Sequence, residues 1–540
     1  MTRRTKKWLL GISVFLGLGV VTLTIAGYVL SRRVDPYIRE QAILYLQRRF
    51  DSEVELTSLS IRLPRMSPLK FLFSGGRGAL ARVEGEGLSL RHKGRRDVPP
   101  MFAIHRFSGE VDLGTLFNMP KTVRTVSIDG MVINVPPKGE GSDPKQDNQE
   151  SGPSTDVLVQ EVLVANSTLS ILPKDKNKTP LRFDLHRVRL EWVGKGVGMK
   201  YDAALTNAKP PGEILSKGTF GPWAVEEPGD TAVSGEYDFR DADLSVFKGI
   251  AGTLASTGDF DGSLSSLSVH GQARVPNFNL TISGNKVPLS TRFEVLVDGT
   301  NGDTILKPVT GTIGTTPFTT NGGVIKHDSD PRRTTTLDVT IPSGNIQDLL
   351  TLAMKGRPFM AGTIFLQTKI EIPPLTTKVR SKLHLDGRFD LSKAVFLQSK
   401  IQDRIDSLSR RAQGQPNSKE IDEVISGMAG SFKLEDEVMT FRALSFAVPG
   451  AGVDLAGNYN LKTDALDFHG ALKLEAKISE TMSGWKRWAL KPVDPFFSKK
   501  GAGTLLHIKI EGSAKEPKFG LDLGRTSLSI CQVGQLKDAQ

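Results

Sequence analysis

From residue 54 onward the chain alternates apolar and polar side chains in strand after strand, and a period of two admits little besides half-buried β-sheet. Val54 and Leu56, then Leu59, Ile61 and Leu63, alternate with polar neighbours. So do Leu466, Phe468, Gly470, Leu472, Leu474, Ala476 and Ile478 in one run, Leu506, Ile508 and Ile510 in another, and Phe519, Leu521 and Leu523 in a third. One apolar face per strand means antiparallel pairing with the other face in water. The expected fold is therefore all-β dominated: an elongated, repetitive antiparallel β-groove with a few short amphipathic helices, behind an N-terminal transmembrane helix. At roughly 17 residues per strand and turn, about 500 residues make about 30 strands.

Two kinds of repetition run through the chain. A phrase of glycine, a polar residue, then an aromatic or aliphatic one recurs at strand starts: GEVDL at Gly109, GEYDF at Gly235, GDFDG at Gly258, GRFDL at Gly387, GSFKL at Gly430 and GNYNL at Gly457. A second echo joins TVRTVSIDGMVINVPP (Thr122 to Pro137) with VLVQEVLVANSTLSILP (Val157 to Pro173). Each of these reads as a strand, a two- or three-residue polar turn, and a returning strand. Units that cannot bury their apolar face alone must stack on neighbours. The irregular spacing points to a loose array.

Helices are few and local. Asp35-Pro36 pairs a capping carboxylate with a proline at the first helical position, and Ile38, Ala42, Leu46 and Phe50 then form an apolar stripe. That helix is expected to pack on the first strands, with a helix lying against the lipid headgroups as the alternative. Others are expected at Ile346 to Met354, around Ile401, Ile405 and Leu408, from Ser418 to Ile425, and from Ser479 to Leu490 with Trp485 and Trp488. The implied organisation is a basic N-terminus (1–7), an anchor helix (8–30), a helix with strands (35–136) and a Gly/Pro-rich polar loop (137–156). A repetitive strand body (157–396), a C-terminal strand region with amphipathic helices (397–524) and a tail (525–540) follow.

Trp8 to Leu30 carries no charged side chain. At ~1.5 Å per residue its helix covers a ~30 Å hydrocarbon core. Arg3, Arg4, Lys6 and Lys7 precede it, so the positive-inside rule keeps the N-terminus in the cytoplasm and sends the bulk across the membrane. A cleaved signal peptide would have a shorter apolar region and a small-residue cleavage site, whereas this run ends in Tyr28, Val29 and Leu30. The expected topology is single-pass with the body on the far side of the membrane; that this is the cell inner membrane, with the body in the periplasm, is implied by the family resemblance described below.

The net charge of +11 suits anionic surfaces, and much of the excess lies just after the anchor, at Arg62, Arg65, Lys70, Arg77, Arg82, Arg91, Lys93, Arg95 and Arg96. Headgroups fit that position; nucleic acid does not fit a chain facing away from the cytoplasm. The single cysteine, Cys531, leaves hydrogen-bonded sheet and packing to hold an exported body together, and it reads as a buried bystander.

Nothing in the sequence marks catalysis, a metal or a cofactor. The eight histidines are scattered, mostly at polar-face positions such as His507, and none has ligand spacing. SGGRGAL at Ser74 and GAGTL at Gly501 read as β-turns because neither joins a strand to a helix with a lysine. The acidic turns at Asp259-Phe260-Asp261 and Asp298 to Asp303 lack the calcium-loop pattern, and no Gly-x-Ser-x-Gly elbow occurs.

The anchor, the helix after Asp35 and VELTSLSIRL resemble the N-terminal region of the AsmA family, as does SGEVDLGTLFNMPKTVRTVSIDGMVINVPP. GEYDFRDADLSVF with GTLASTGDFDGSLSSLSVHG is similar to a repeat of that family. The C-terminal third, from KIQDRIDSLSRR through GSFKLEDEVMTF and VPGAGVDLAGNYNL to GAGTLLHIKIEGSAKEPKFGLDL, carries the resemblance furthest. It implies a stack of strands curling into an apolar groove, related to bridge-like lipid-transfer proteins. It also implies a role in moving phospholipid toward the outer membrane and in outer-membrane biogenesis. The implied partners are phospholipid, the inner membrane, and outer-membrane or periplasmic proteins.

The residues are compatible with that mechanism. Taking two acyl chains through water costs ~0.8 kcal/mol per methylene, roughly 20–25 kcal/mol in all, which a continuous apolar strand face can offset. The groove-lining candidates are Val54, Leu56, Ile61, Leu466, Phe468, Leu472, Leu474, Ile508 and Ile510. The alternative is that the apolar faces close on one another as a sandwich core, making the protein a scaffold or assembly factor without cargo. A third reading, an anchored hydrolase of envelope polymer, requires paired carboxylates, and no pair stands out.

Overall fold

The computed structural model describes residues 39–62 in part, 80–112, 121–135, 157–173, 179–194, 198–224, 227–327, 330–374, 379–418, 423–483, 502–522 except 515, and a few isolated positions between 484 and 501. The anchor Trp8–Leu30, the loop 137–156, and the tail 525–540 with Cys531 lie outside the described residues. No helix among the described residues is long and apolar enough to cross a membrane.

The described chain is dominated by 25 strands. It divides into two compact units, residues 1–240 with 257–268 and 298–302, and residues 241–256 with 269–297 and 303–540.

The first unit runs through β1 (Ser52–Arg62), β2 (Leu80–His92), β3 (Phe102–Asp112), β4 (Lys121–Val135), β5 (Val157–Ile171), β6 (Leu181–Val193), β7 (Met199–Thr206), β8 (Glu213–Phe220) and β9 (Ala232–Asp243) as far as Arg240. Each strand pairs with the next. One pair departs from the antiparallel expectation: β4 and β5 are parallel, with Val126 opposite Val162 and Ile133 opposite Leu169. The two echoing sequences are thus two long strands side by side, not two hairpins. The connection between them, through residues 136–156, is long enough for the crossover that parallel strands need.

The reason neither echo turns back is a crease across the sheet. The inward face of β1 passes from Val54 and Leu56 to Leu59 and Ile61, skipping two exposed residues, Thr57 and Ser58. The same skip occurs at Glu86 and Gly87 in β2. It recurs at His105 and Arg106 in β3 and at His186 and Arg187 in β6, and, with one of the two residues half-buried, at Asp129 and Gly130 in β4 and at Ala165 and Asn166 in β5. These positions form one row: Ser58 faces Glu86, Glu86 faces Arg106, Arg106 faces Asp129, Asp129 faces Ala165, and Ala165 faces Arg187. Gly87 (φ +66°), Gly130 (φ +70°) and Asn166 (φ +48°) take left-handed backbone there, so the strand changes face and continues.

In the second unit, β10 (Ile250–Ala251), β11 (Thr253–Ser263), β12 (Ser266–Leu280) and β13 (Val287–Asp298), less the parts that belong to the first, precede a long antiparallel ladder. Its members are β14 (Asp303–Ile313), β15 (Thr316–His327), β16 (Asp330–Asn345), β17 (Met360–Ile372), β18 (His384–Phe396), β19 (Ser426–Glu435), β20 (Val438–Val448), β21 (Ala451–Asn460), β22 (Ala465–Leu474), β24 (Ala502–Ser513) and β25 (Pro517–Leu521), with the two-residue β23 (Ser498–Lys499) on β24.

Several glycines, Gly387, Gly430 and Gly457 of the recurring phrase among them, face an aromatic residue on the next strand. Gly85 faces Phe107, Gly311 faces Phe318, Gly387 faces Phe432, Gly430 faces Phe389, and Gly457 faces both Phe441 and Phe468. At Gly85, Gly311, Gly430 and Gly457 the ring of Phe107, Phe318, Phe389 or Phe468 lies against the bare glycine, covering hydrogen bonds that glycine leaves exposed.

The helix after Asp35, where described between Arg39 and Phe50, packs Ile43, Leu46 and Phe50 on Val54, Leu56, Leu88 and Leu90, as expected. Helix α1 (Ile346–Ala353) is capped by the Asn345 side chain, which accepts from the Gln347 N–H at 3.0 Å. It packs on Met360, Ile364 and Leu391. Helix α2 (Ser399–Ala412) sets Ile405 and Leu408 against Val424, Val448, Ala451 and Leu474. A helix from Ser418 to Ile425 is not borne out at its described positions. Ser418 and 423–425 are non-helical, and the Val424 N–H is held by the Asp406 carboxylate at 2.9 Å. Of the stretch from Ser479 to Leu490, the start lies in a 3-10 turn (Ile478–Thr481). Most of the rest, Trp485 and Trp488 included, lies outside the described residues.

Candidate functional site

The inward face of the second unit is a set of cross-strand rows. One row runs Ile364, Leu391, Met428, Phe446, Val453, Leu472 and Leu506, each residue facing the next. Its neighbour runs Leu366, Phe389, Gly430, Leu444, Leu455, Gly470 and Ile508. Ile364 and Leu391 are buried beneath α1 with Met428 packed against their cluster, and Phe446 and Leu472 pack against the cluster beneath α2, yet these three, with Val453 and Leu506, remain half-buried. A facing layer of side chains would bring such positions to full burial. At the last strand Phe519, 72% exposed, continues the face from Ile510.

The sequence-derived candidates separate into two groups. Val54 and Leu56 are buried beneath the N-terminal helix, and Leu474 is buried against α2, with Leu472 packed at its margin. These are core positions in whole or in part. Leu466, Ile508 and Ile510 stay half-buried on the ladder face, and Phe468 is buried there with its ring 5.8 Å from that of Phe441. Ile61 is half-buried beyond the crease of the first unit. Reading by alternation missed Phe441, Phe446 and Val453, although the spacing in VMTFRALSFAV signals the first two and that in AGVDLAGNYN the third: Phe441 and Leu444 share the face across a register shift.

The inward face of the first unit is covered differently. Phe102 and Ile104 of β3 pack on Met131, Val162 and Val164, in a cluster that also takes in Val188 and Leu190 of β6. Trp223, just past β8, lies 5.8 Å from Phe102 at the start of β3 and 5.8 Å from Phe50. Four strands separate β3 from β8 in the bonded order, so a flat sheet would hold them ~24 Å apart. This sheet curls until its inner face meets itself. Trp223 follows Gly221-Pro222, a loop signal, which is why alternation gave no hint of it. Its Nε1 is buried and has no hydrogen-bond partner among the described residues. Such a donor costs about 1–3 kcal/mol relative to one that is met.

Unlike the Trp223 N–H, the Tyr201 and Ser216 hydroxyls of this unit are matched. The Tyr201 hydroxyl and Ser216 Oγ lie 2.9 Å apart, and Ser216 donates to the Glu236 carbonyl. Burial pushes the Tyr201 phenol above its ordinary value, against the lowering effect of Ser216. His92 is also buried, its ring nitrogen 3.3 Å from the Phe50 carbonyl, and so departs from the polar-face pattern expected of the histidines.

The outward faces carry the charge, with ion pairs such as Lys473–Asp454 (2.7 Å), Arg189–Glu161 (2.7 Å) and Arg106–Glu86 (3.3 Å) across adjacent strands. Exposed pairs like these add little stability but fix which face meets water. The arrangement is a sheet with one wet face and one apolar face, chemically suited to sequestering hydrocarbon. No family model, no curated protein and no solved structure matches this chain.

Proposed function

We propose that this protein shields the acyl chains of phospholipid on the inward face of its strands, supporting lipid transport between inner and outer membrane and outer-membrane biogenesis. In this reading the chain is an AsmA-like protein held by Trp8–Leu30 in the inner membrane with its body in the periplasm. The observation that carries it is the apolar, continuous and only half-buried face through Met428, Phe446, Val453, Leu472 and Leu506, which skirts the helix-covered clusters at Met428, Phe446 and Leu472 and runs on through Leu455, Ile508 and Ile510. Each acyl methylene laid on that face recovers ~0.8 kcal/mol of the cost of water contact while the headgroup stays solvated. No bond is made or broken, so the mechanism asks for no catalytic residue, and a partner protein supplies any direction.

One observation favours the scaffold alternative. Part of the first unit's inward face, around Met131, Val162 and Val164, is covered by the protein's own side chains from β3 to β6. A body covered this way throughout would carry no cargo.

Organic extraction and mass spectrometry of residues 34–540 prepared without detergent separates the two. Stoichiometric phospholipid that survives size exclusion, and is lost in Ile508→Lys/Ile510→Lys, supports transport. A folded, lipid-free protein supports the scaffold.

A further inference from the structure

The aromatic group at the closed side of the first unit has a feature that ordinary core packing does not explain. Phe50, Phe102, Phe220 and Trp223 meet edge to face or tilted, with centroids 5.5–6.2 Å apart. Three of these rings need nothing but each other. The indole does: its Nε1 exposes less than 1 Å² and is unpartnered among the described residues, while the ring as a whole is only half-buried. A buried donor without an acceptor carries its full desolvation penalty, so a state that supplies an acceptor is favoured over this one.

The rings around the donor are apolar, so the acceptor must arrive on a molecule that also tolerates hydrocarbon surroundings. Phe220 belongs to the inward face of β8, opposite Met199, and Phe102 to the inward face of β3. An occupant of the inward face therefore reaches this group directly. We infer that Phe50, Phe102, Phe220 and Trp223 form a stopper that opens to an acylated lipid, the Trp223 indole turning out to donate its N–H to an ester or phosphate oxygen of that lipid. This rests on the phospholipid reading above and adds where the lipid is recognised. With lipid absent the rings close on one another and the donor goes unmet; with lipid present the donor is met, and that difference between the states drives opening.

The test uses the full-length chain in bacterial membranes labelled with 32P. Phe220→p-benzoylphenylalanine and, separately, Ile508→p-benzoylphenylalanine are photolysed, and lipid adducts are counted on the denatured protein. Label is expected at both positions. Trp223→Phe, which keeps a ring but removes the N–H, is expected to cut label at position 220 about fivefold or more and leave position 508 unchanged. Undiminished label at 220 in Trp223→Phe overturns the role of the indole, as does loss at both positions, which would mean a general structural effect. Label at 508 without label at 220 overturns the stopper and leaves the phospholipid reading standing. Absence of label at both positions overturns the two together.

Discussion

The ring of Phe107 occupies the place of the side chain that Gly85 lacks: a Cβ on Gly85 would lie 2.2 Å from the ring Cζ. The two are direct cross-strand partners between β2 and β3. Gly311 stands in the same relation to Phe318, at 2.7 Å, and Gly457 to Phe468, at 2.9 Å. Gly85→Val is therefore an overpacking change, expected to destabilise the first unit by about 1–3 kcal/mol. Adding Phe107→Ala should recover part of that loss. Thermal unfolding of the two single variants and the double variant checks it; additive losses would mean that ring and glycine are not coupled.

Asp406 holds α2 in place from within. It is 1% exposed, accepts from the Gln402 amide at 2.8 Å and the Val424 N–H at 2.9 Å, while Gln402 accepts from the Phe396 N–H at 2.9 Å. Asp406→Ala leaves the Val424 donor buried and is expected to cost about 3 kcal/mol. Hydrogen exchange is the readout: amides of α2 should lose protection before those of β18 do.

Charge placed on the candidate residues should act in two distinct ways. Leu56→Asp and Leu474→Asp put a carboxylate into packed clusters and are expected to unfold their surroundings. Ile508→Lys and Ile510→Lys fall on half-buried positions from which a long side chain can bring its ammonium to water, so the fold should survive while bound lipid is lost. Circular dichroism with lipid extraction on all four variants distinguishes them. Ile508→Lys that unfolds as completely as Leu474→Asp would count against an open face.

Tyr201 predicts an alkaline limit. Its phenol is raised above 10.0, chiefly by burial. A raised phenol ionises first in the unfolded chain, so its contribution to stability is full below about pH 10 and is lost as the pH rises through the folded value. Tyr201→Phe should show a shallower fall in unfolding temperature above pH 10 than the parent, and the same slope below. Identical slopes above pH 10 would show that this phenol is not shielded in the folded chain.

Much of the fold is legible without coordinates because alternation is a local property. Leu466, Phe468, Leu472 and Leu474 lie on one face of β22 because adjacent side chains in a strand point to opposite sides. The stripe through Leu46 and Phe50 and the Ile405/Leu408 pair of α2 are legible for the same reason at helical period. The crease is visible only in part. The jumps from Leu56 to Leu59, Ile104 to Phe107 and Leu185 to Val188 stand in the sequence, but each by itself reads as a turn. That they align as one row depends on register, which no single strand contains.

By itself the sequence determined which side chains share a face and that sheet dominates, since these follow from side-chain direction and residue type. Only the tertiary structure decided that β4 and β5 run parallel, that Val54 and Leu474 are core while Ile508 is not, and that Trp223 meets Phe102 across four strands. A lipid chain and a facing side chain ask the same hydrophobicity of a strand. What covers an apolar face is therefore settled by the curl of the sheet and the helices laid on it, not by the alternation that created the face.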